Sequence, residues 1–146
     1  MFLVSACLVG VKCRYDGTDA FSKETTELLS EFVLIPICPE QLGGLPTPRE
    51  RCEIVGGDGF DVLNGKARVL SESGLDLTEK FLKGAYETLR IAKMLNVKRA
   101  ILKDFSPSCG VNKIYDGTFS GKTKSGVGVT TALLILNGVE VSKEKG

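Results

Sequence analysis

An apolar run leads into a loop that carries a thiol and a carboxylate: Phe32-Val33-Leu34-Ile35-Pro36-Ile37 is followed by Cys38-Pro39-Glu40-Gln41-Leu42-Gly43-Gly44-Leu45-Pro46-Thr47-Pro48-Arg49. The apolar run at residues 33–37 is typical of a buried β-strand. Glycine reaches backbone conformations that other residues avoid, whereas proline fixes φ and removes a hydrogen-bond donor. A loop rich in both has a defined path, so we expect it to hold Cys38 and Glu40 in fixed positions.

Segments with strand and helix character alternate on both sides of this loop. The predicted strands are residues 2–6, 33–37, 100–102 and 139–141, and the predicted helices are residues 22–32, 76–96 and 131–136. A hairpin is predicted within residues 61–70 because Asn64-Gly65 is a turn signal. Asp76 and Glu79 have the spacing of an N-cap and its capping box. This alternation predicts one domain over residues 1–146, a small three-layer α/β domain whose mainly parallel sheet has helices on both faces.

Three cysteines follow predicted strands. Cys7, Cys38 and Cys109 each lie at or after the carboxyl end of a strand. In parallel sheets of this class, ligands bind beyond the carboxyl ends of the strands. If the three strands are parallel neighbours, the three thiols meet at one edge of the sheet.

A short repeat flanks this predicted site. Tyr15-Asp16-Gly17-Thr18 follows the Cys7 loop, and Tyr115-Asp116-Gly117-Thr118 follows the Cys109 loop. The repeat predicts two similar turns beside one site. Because Asp-Gly is common in turns, coincidence is the alternative interpretation.

The composition excludes several kinds of catalytic and metal site. The sequence has no histidine, which excludes Ser-His-Asp and Cys-His catalysis and mixed Cys/His zinc sites. Its five cysteines include no Cys-x-x-Cys pair, the usual spacing of structural zinc and thioredoxin-like sites. The N-terminus lacks a signal-peptide pattern, and no run approaches the ~20 apolar residues of a membrane span. We therefore expect a cytoplasmic protein with reduced thiols, and the net charge of +1 does not favour a broad nucleic-acid-binding face.

Thiolates without histidine suit a soft metal or an iron–sulfur cluster. A cluster held by three cysteines leaves one iron without a protein ligand, and that iron is a Lewis acid. Beside it, Glu40 could activate water, and Ser106 could position that water or donate a proton. Three alternatives stay open on the residues alone: buried structural cysteines, a structural or regulatory cysteine-metal protein, and a thiol nucleophile activated by a lysine or a helix terminus.

Five motifs occur together along the chain. They are Ser5-Ala6-Cys7-Leu8-Val9-Gly10, Arg14-Tyr15-Asp16-Gly17, Cys38-Pro39-Glu40 with Gly43-Gly44-Leu45 and Pro48-Arg49, Ser106-Pro107-Ser108-Cys109-Gly110, and Ile114-Tyr115-Asp116-Gly117-Thr118-Phe119. In these motifs and their order the chain resembles the thiouracil desulfidase family, over about residues 3–141. The resemblance implies a [4Fe-4S] cluster held by Cys7, Cys38 and Cys109, whose open iron takes the sulfur of the substrate. It also implies non-redox, hydrolytic removal of sulfur from a thiolated pyrimidine, with Glu40 and Ser106 as the catalytic residues.

Two further thiols depart from the simplest family pattern. Cys13 and Cys52 are additional, and the open iron would be lost if Cys13 were a fourth ligand. The expected partner is a small thiolated base or nucleotide, with thiolated tRNA as an alternative and no membrane. The sequence does not indicate an oligomeric state.

Overall fold

The computed structural model describes residues 1–144, so residues 145 and 146 of the predicted domain lie outside the described part. The strands are β1 Phe2–Ser5, β2 Leu34–Ile37, β3 Cys52–Val55, β4 Arg68–Ser71, β5 Arg99–Leu102, β6 Lys113–Tyr115, β7 Thr123–Ser125 and β8 Glu140–Lys143. The α-helices are α1 Lys23–Glu27, α2 Pro39–Leu42, α3 Gly59–Leu63, α4 Thr78–Met94 and α5 Val129–Leu136, and 3-10 helices span Ala6–Val9 and Leu28–Ser30.

The central sheet has the strand order β2-β1-β5-β8, and its neighbouring strands are parallel. Leu3 in β1 lies opposite Ile35 on one side and Ala100 on the other. This arrangement confirms the predicted α/β fold with a mainly parallel sheet. It also places the carboxyl ends of β2, β1 and β5 side by side, which is the edge where the sequence predicts the site.

Side chains alternate between the two faces of this sheet. Ala100 and Leu102 belong to the main core, together with residues of α4 and α5. Ile101, between them, packs on the opposite side against a second cluster formed by Ala6, Cys7, Leu8 and Cys13. The segment before α1 is tied to this second cluster, since the backbone N–H of Ser22 donates to the Leu8 carbonyl at 2.8 Å. Helical segments therefore cover both faces.

Two glycines allow α2 to lie directly against α4. A Cβ atom built on Gly84 of α4 would overlap the carbonyl oxygen of Pro39, and one built on Gly43 would overlap the carbonyl oxygen of Lys80. Because neither glycine has a side chain, the two helix backbones pack in direct contact. This contact fixes α2, the short helix that carries Glu40.

Two local predictions were wrong. Residues 61–70 do not form a hairpin, because Asp58 caps α3 with a capping box to Asp61, and the hairpin strands are β3 and β4. The long helix has Leu77 at its N-cap instead of Asp76, whose side chain accepts from the Thr78 backbone N–H at 3.0 Å. A second antiparallel pair, β6 with β7, has no apolar alternation and was not predicted from the sequence.

None of the helices within residues 1–144 is both long and apolar enough to cross a membrane.

Candidate functional site

A cavity of about 180 Å³ lies at the carboxyl ends of β1, β2 and β5. The three cysteines predicted for the site all line it, and so do the two additional ones; the five are Cys7, Cys13, Cys38, Cys52 and Cys109. None of them is in a disulfide. The structure therefore brings together thiols from the three connections that follow β1, β2 and β5 and from the start of β3.

Each of the three predicted thiols is placed by a strand end. Cys7 lies in the 3-10 helix directly after β1, and Cys38 is the N-cap residue between β2 and α2. Cys109 lies further along the loop that follows β5, and it is buried. Since these strands are parallel neighbours, the loops that follow them all begin at the same edge of the sheet, the one formed by the carboxyl ends of the strands.

The environment of four of the thiols raises their pKa values. The Cys38 thiol acts to lower the pKa of Cys13, but contact with Cys7 and burial outweigh it and raise that pKa to about 11. Burial, followed by the Glu40 carboxylate, raises the pKa of Cys52 to about 11 and holds that of Cys109 well above its usual range. The adjacent Cys13 thiol, then burial, also raise the pKa of Cys38. An activated thiol nucleophile needs a lowered pKa, so these four thiols do not match one.

No three Cys, Asp or Glu side chains among residues 1–144 come close enough together to hold a single metal ion. The five thiols nevertheless line one cavity. A metal group bound by several of them would have soft sulfur atoms as its ligands.

Glu40 contributes a carboxylate to the cavity, which Glu50 and Asp104 also line. Its Oε1 accepts a hydrogen bond from Ser108 Oγ at 2.7 Å, and its Oε2 lies 3.8 Å from Arg49 Nη2. The Glu40 and Arg49 side chains are 13% and 8% exposed, so this pair is largely screened from solvent. Arg49 also donates to the Cys13 carbonyl at 2.8 Å, which ties the Cys13 loop to the loop after β2.

A directed chain of hydrogen bonds ends at Glu40. Ser106 Oγ accepts from the backbone N–H groups of Ser108 and Cys109 at 3.1 and 3.0 Å, and it lies 3.1 Å from Ser108 Oγ. Because Ser108 uses its hydroxyl proton on Glu40, Ser106 must donate its own proton to Ser108. Ser106 lines the cavity as predicted, and Ser108 is fully buried and contacts the carboxylate.

Asp104 holds the loop that carries these serines. Its Oδ1 accepts from the backbone N–H groups of Val111, Asn112 and Lys113 at 2.9, 3.0 and 3.1 Å. Burial acts to raise the pKa of Asp104, but these backbone donors outweigh it and hold the pKa below its usual range. The sequence analysis did not single out this residue, although an aspartate two residues after the predicted strand 100–102 is a signal that the sequence offers.

The Tyr-Asp-Gly-Thr repeat forms two similar turns, as predicted. Asp16 Oδ1 accepts from the backbone N–H and the hydroxyl of Thr18 at 3.1 and 2.6 Å. Asp116 Oδ1 does the same with Thr118 at 3.0 and 2.6 Å. Tyr15 and Tyr115, which open the two turns, both line the cavity.

Comparison with known proteins agrees with this geometry. Residues 2–146 match the family model described as 2-thiouracil desulfurase. The chain is 51% identical over 144 residues to the uncharacterised protein YbbK of Bacillus subtilis strain 168, covering 99% of this chain and 95% of that protein. It is also similar to a solved structure, the [4Fe-4S]-dependent thiouracil desulfidase TudS, with a TM-score of 0.85 and 41% identity, covering 98% of this chain and 89% of that one. The chain thus belongs to the 2-thiouracil desulfurase family.

Proposed function

We propose that this protein removes sulfur from a thiolated pyrimidine of the thiouracil or thiouridine type, using a [4Fe-4S] cluster held by Cys7, Cys38 and Cys109. The observation that carries the proposal is the single cavity in which these thiols converge beside Glu40. Membership of the 2-thiouracil desulfurase family and the likeness to a [4Fe-4S]-dependent thiouracil desulfidase support the same class of reaction.

The residues of the cavity fit such a cluster. Its ligand atoms would be thiolates, and the sequence has no histidine to compete for them. When bound through three cysteines, the cluster supplies a Lewis-acidic iron that has no protein ligand. Cys13 and Cys52 are not assigned as ligands.

Glu40 is proposed as the base that takes a proton from the attacking water. Ser108 occupies Oε1 of Glu40, and Oε2, beside Arg49, keeps lone pairs for this proton. Water adds to the thiocarbonyl carbon, and the carbon–sulfur bond then breaks. The pyrimidine retains the oxygen of the water as a carbonyl, and the sulfur leaves as hydrosulfide. Thiouracil and water give uracil and hydrogen sulfide, so the reaction needs neither oxidant nor reductant.

Ser106 is proposed to act at the cavity end of the hydrogen-bond chain. It lines the cavity, and it reaches Glu40 through Ser108. Because its proton goes to Ser108 and its lone pairs accept from two backbone N–H groups, it acts on the attacking water through Ser108, by keeping the Glu40 carboxylate aligned. The two serines therefore support the carboxylate from one side, and Arg49 supports it from the other.

The substrate is proposed to be a small thiolated base or nucleotide. The net charge of +1 does not favour tRNA, and the cavity itself is small. Arg14 and Lys103 line the cavity and offer positive charge to a nucleotide phosphate. Comparing sulfide release from thiouracil, a thiouridine nucleotide and thiolated tRNA distinguishes these substrates.

Purification without oxygen, followed by iron and sulfide analysis and an absorption spectrum, tests the proposal. We expect a brown protein with about four irons and four sulfides per chain, as the proposed cluster requires, and release of sulfide from 2-thiouracil without a reductant. Glu40→Ala should keep the iron and lose the activity. If the protein contains metal and Glu40→Ala changes neither its metal content nor any activity, it is instead a structural or regulatory cysteine-metal protein. A metal-free chain with one rapidly alkylated cysteine would indicate a thiol nucleophile.

A further inference from the structure

Phe105 combines an exposed ring with an unfavourable backbone conformation. It lines the cavity, and 38% of its surface is exposed. Its φ is +71°, in the left-handed region that a bulky L-residue rarely adopts. Core packing does not account for an aromatic side chain that is exposed in a cavity and held in such a conformation.

The surrounding loop imposes this conformation. The Phe105 N–H donates to the Lys113 carbonyl at 3.0 Å, and the adjacent Asp104 is fixed by its three backbone donors. Backbone strain persists where the neighbouring structure enforces it, and such positions are frequent at ligand sites. The hydrogen bonds of Phe105 and of Asp104 before it therefore hold the Phe105 backbone in this conformation at the cavity.

A second aromatic ring lies beside Phe105. The rings of Phe105 and Tyr115 have centroids 6.2 Å apart and planes inclined by 43°. Each ring has a cation near it: Lys103 Nζ is 5.4 Å from the Phe105 centroid, and the Arg51 guanidinium carbon is 5.6 Å from the Tyr115 centroid. Lys103 is itself held by Glu144 at 3.1 Å. The result is an ordered aromatic wall on the cavity, made of Phe105 and Tyr115.

Two other residues provide a comparison. Within residues 1–144, the other non-glycine positions with positive φ are Asn96 and Phe119. Asn96 follows the end of α4, where asparagine is a usual residue. Phe119 is not a cavity residue, and its N–H donates to the buried Glu53 at 3.1 Å. Phe105 is the position of the three at which the unusual backbone presents a ring to the cavity.

We propose that Phe105, with Tyr115 beside it, stacks on the planar ring of the pyrimidine and selects aromatic bases over saturated ones. The substrate class rests on the proposed function, whereas the stacking rests on the aromatic wall. The stack positions the base through its ring and requires no contact with its sulfur atom. Phe105 is therefore a specificity-determining residue.

The test compares binding of uracil with binding of 5,6-dihydrouracil, whose saturated ring is puckered. Calorimetric titrations use the full-length protein, purified without oxygen. We expect the wild type to prefer uracil, and Phe105→Leu to weaken uracil binding at least about fivefold, the lower end of one base–aromatic stack. Binding of dihydrouracil should stay unchanged, so the preference disappears. Phe105→Tyr should restore it.

Three variants separate loss of the ring from damage to the fold. Phe105→Leu leaves a side chain that is as strained at this positive φ as phenylalanine, whereas Phe105→Asn introduces a residue that tolerates it. Both variants should lose the preference for uracil over dihydrouracil. Phe119→Leu, which removes a ring away from the cavity, should keep it. If Phe105→Asn is folded and still prefers uracil, or if the wild type shows no preference, the stacking proposal is wrong. Neither ligand contains sulfur, so the binding preference can be measured whether or not the protein releases sulfide. Failure to release sulfide would contradict the proposed function but not the stacking proposal.

Discussion

The hydrogen bond between Ser108 and Glu40 gives a prediction whose magnitude follows from the structure. Ser108→Ala removes a 2.7 Å bond to a carboxylate that is 13% exposed. A hydrogen bond to a charged group contributes about 1.5–3 kcal/mol, and its loss leaves Oε1 without this donor. We expect the free energy of unfolding to fall by ~2 kcal/mol. The Arg49 guanidinium, at 3.8 Å from the other oxygen, is too far away to replace the bond.

A double-mutant cycle isolates this interaction. Ser108→Ala, Glu40→Ala and the double variant are unfolded in urea, in the reduced, cluster-free state at pH 7, with circular dichroism as the readout. We expect a coupling energy of about 1.5 kcal/mol, which is typical of residues in direct contact. The matched control is Ser30→Ala, because Ser30 is exposed and bonds only to the Glu27 carbonyl; its coupling to Glu40→Ala should be near zero. A Ser108–Glu40 coupling below about 0.5 kcal/mol would mean that the bond does not hold the carboxylate.

Three further predictions concern the loop, the helix contact and the additional thiol. Asp104→Asn should lower the unfolding free energy at pH 7 by ~2 kcal/mol, because backbone bonds to a charged acceptor become bonds to a neutral one. The pKa of Asp104 is lowered in the folded state, so this stability is present above the unfolded pKa of ~3.9 and is lost as the pH falls through the folded pKa. In urea titrations, the difference in unfolding free energy between wild type and variant should therefore narrow as the pH falls below ~3.9. A difference that stays constant with pH would contradict the assignment. Gly84→Ala should cost about 3 kcal/mol and reduce activity, because its Cβ overlaps Pro39 and displaces α2; an unchanged urea midpoint would refute the direct helix contact. Cys13→Ser should retain wild-type iron and sulfide content in anaerobic preparations, whereas loss of iron would make Cys13 a ligand.

The position of the site could be predicted because it depends on chain topology. Apolar runs end at Cys7 and Cys38, and parallel neighbouring strands bring their carboxyl ends together regardless of side-chain detail. The same argument places Cys109, although six residues lie between it and the end of β5. The repeated turns could also be predicted, since Asp-Gly-Thr determines its own local hydrogen bonds.

The details of the site could not be predicted because they depend on tertiary contacts. Ser106 and Ser108 occupy similar positions in sequence, and only the folded loop shows that Ser108 contacts Glu40. A phenylalanine gives no sequence signal of a left-handed backbone, which glycine or asparagine would have given at position 105. The hairpin prediction for residues 61–70 failed because Asn64-Gly65 ends a capped helix, where the same residue types are also favoured.

In the proposed reaction, an oxygen atom from water replaces the sulfur of the base without a change of oxidation state. Turnover of 2-thiouracil in ¹⁸O-labelled water, without oxygen or reductant, tests it most directly by mass spectrometry of the pyrimidine and assay of sulfide. We expect uracil with one labelled oxygen and one sulfide for each uracil formed. Unlabelled uracil, or turnover that begins only when a reductant is added, would contradict it.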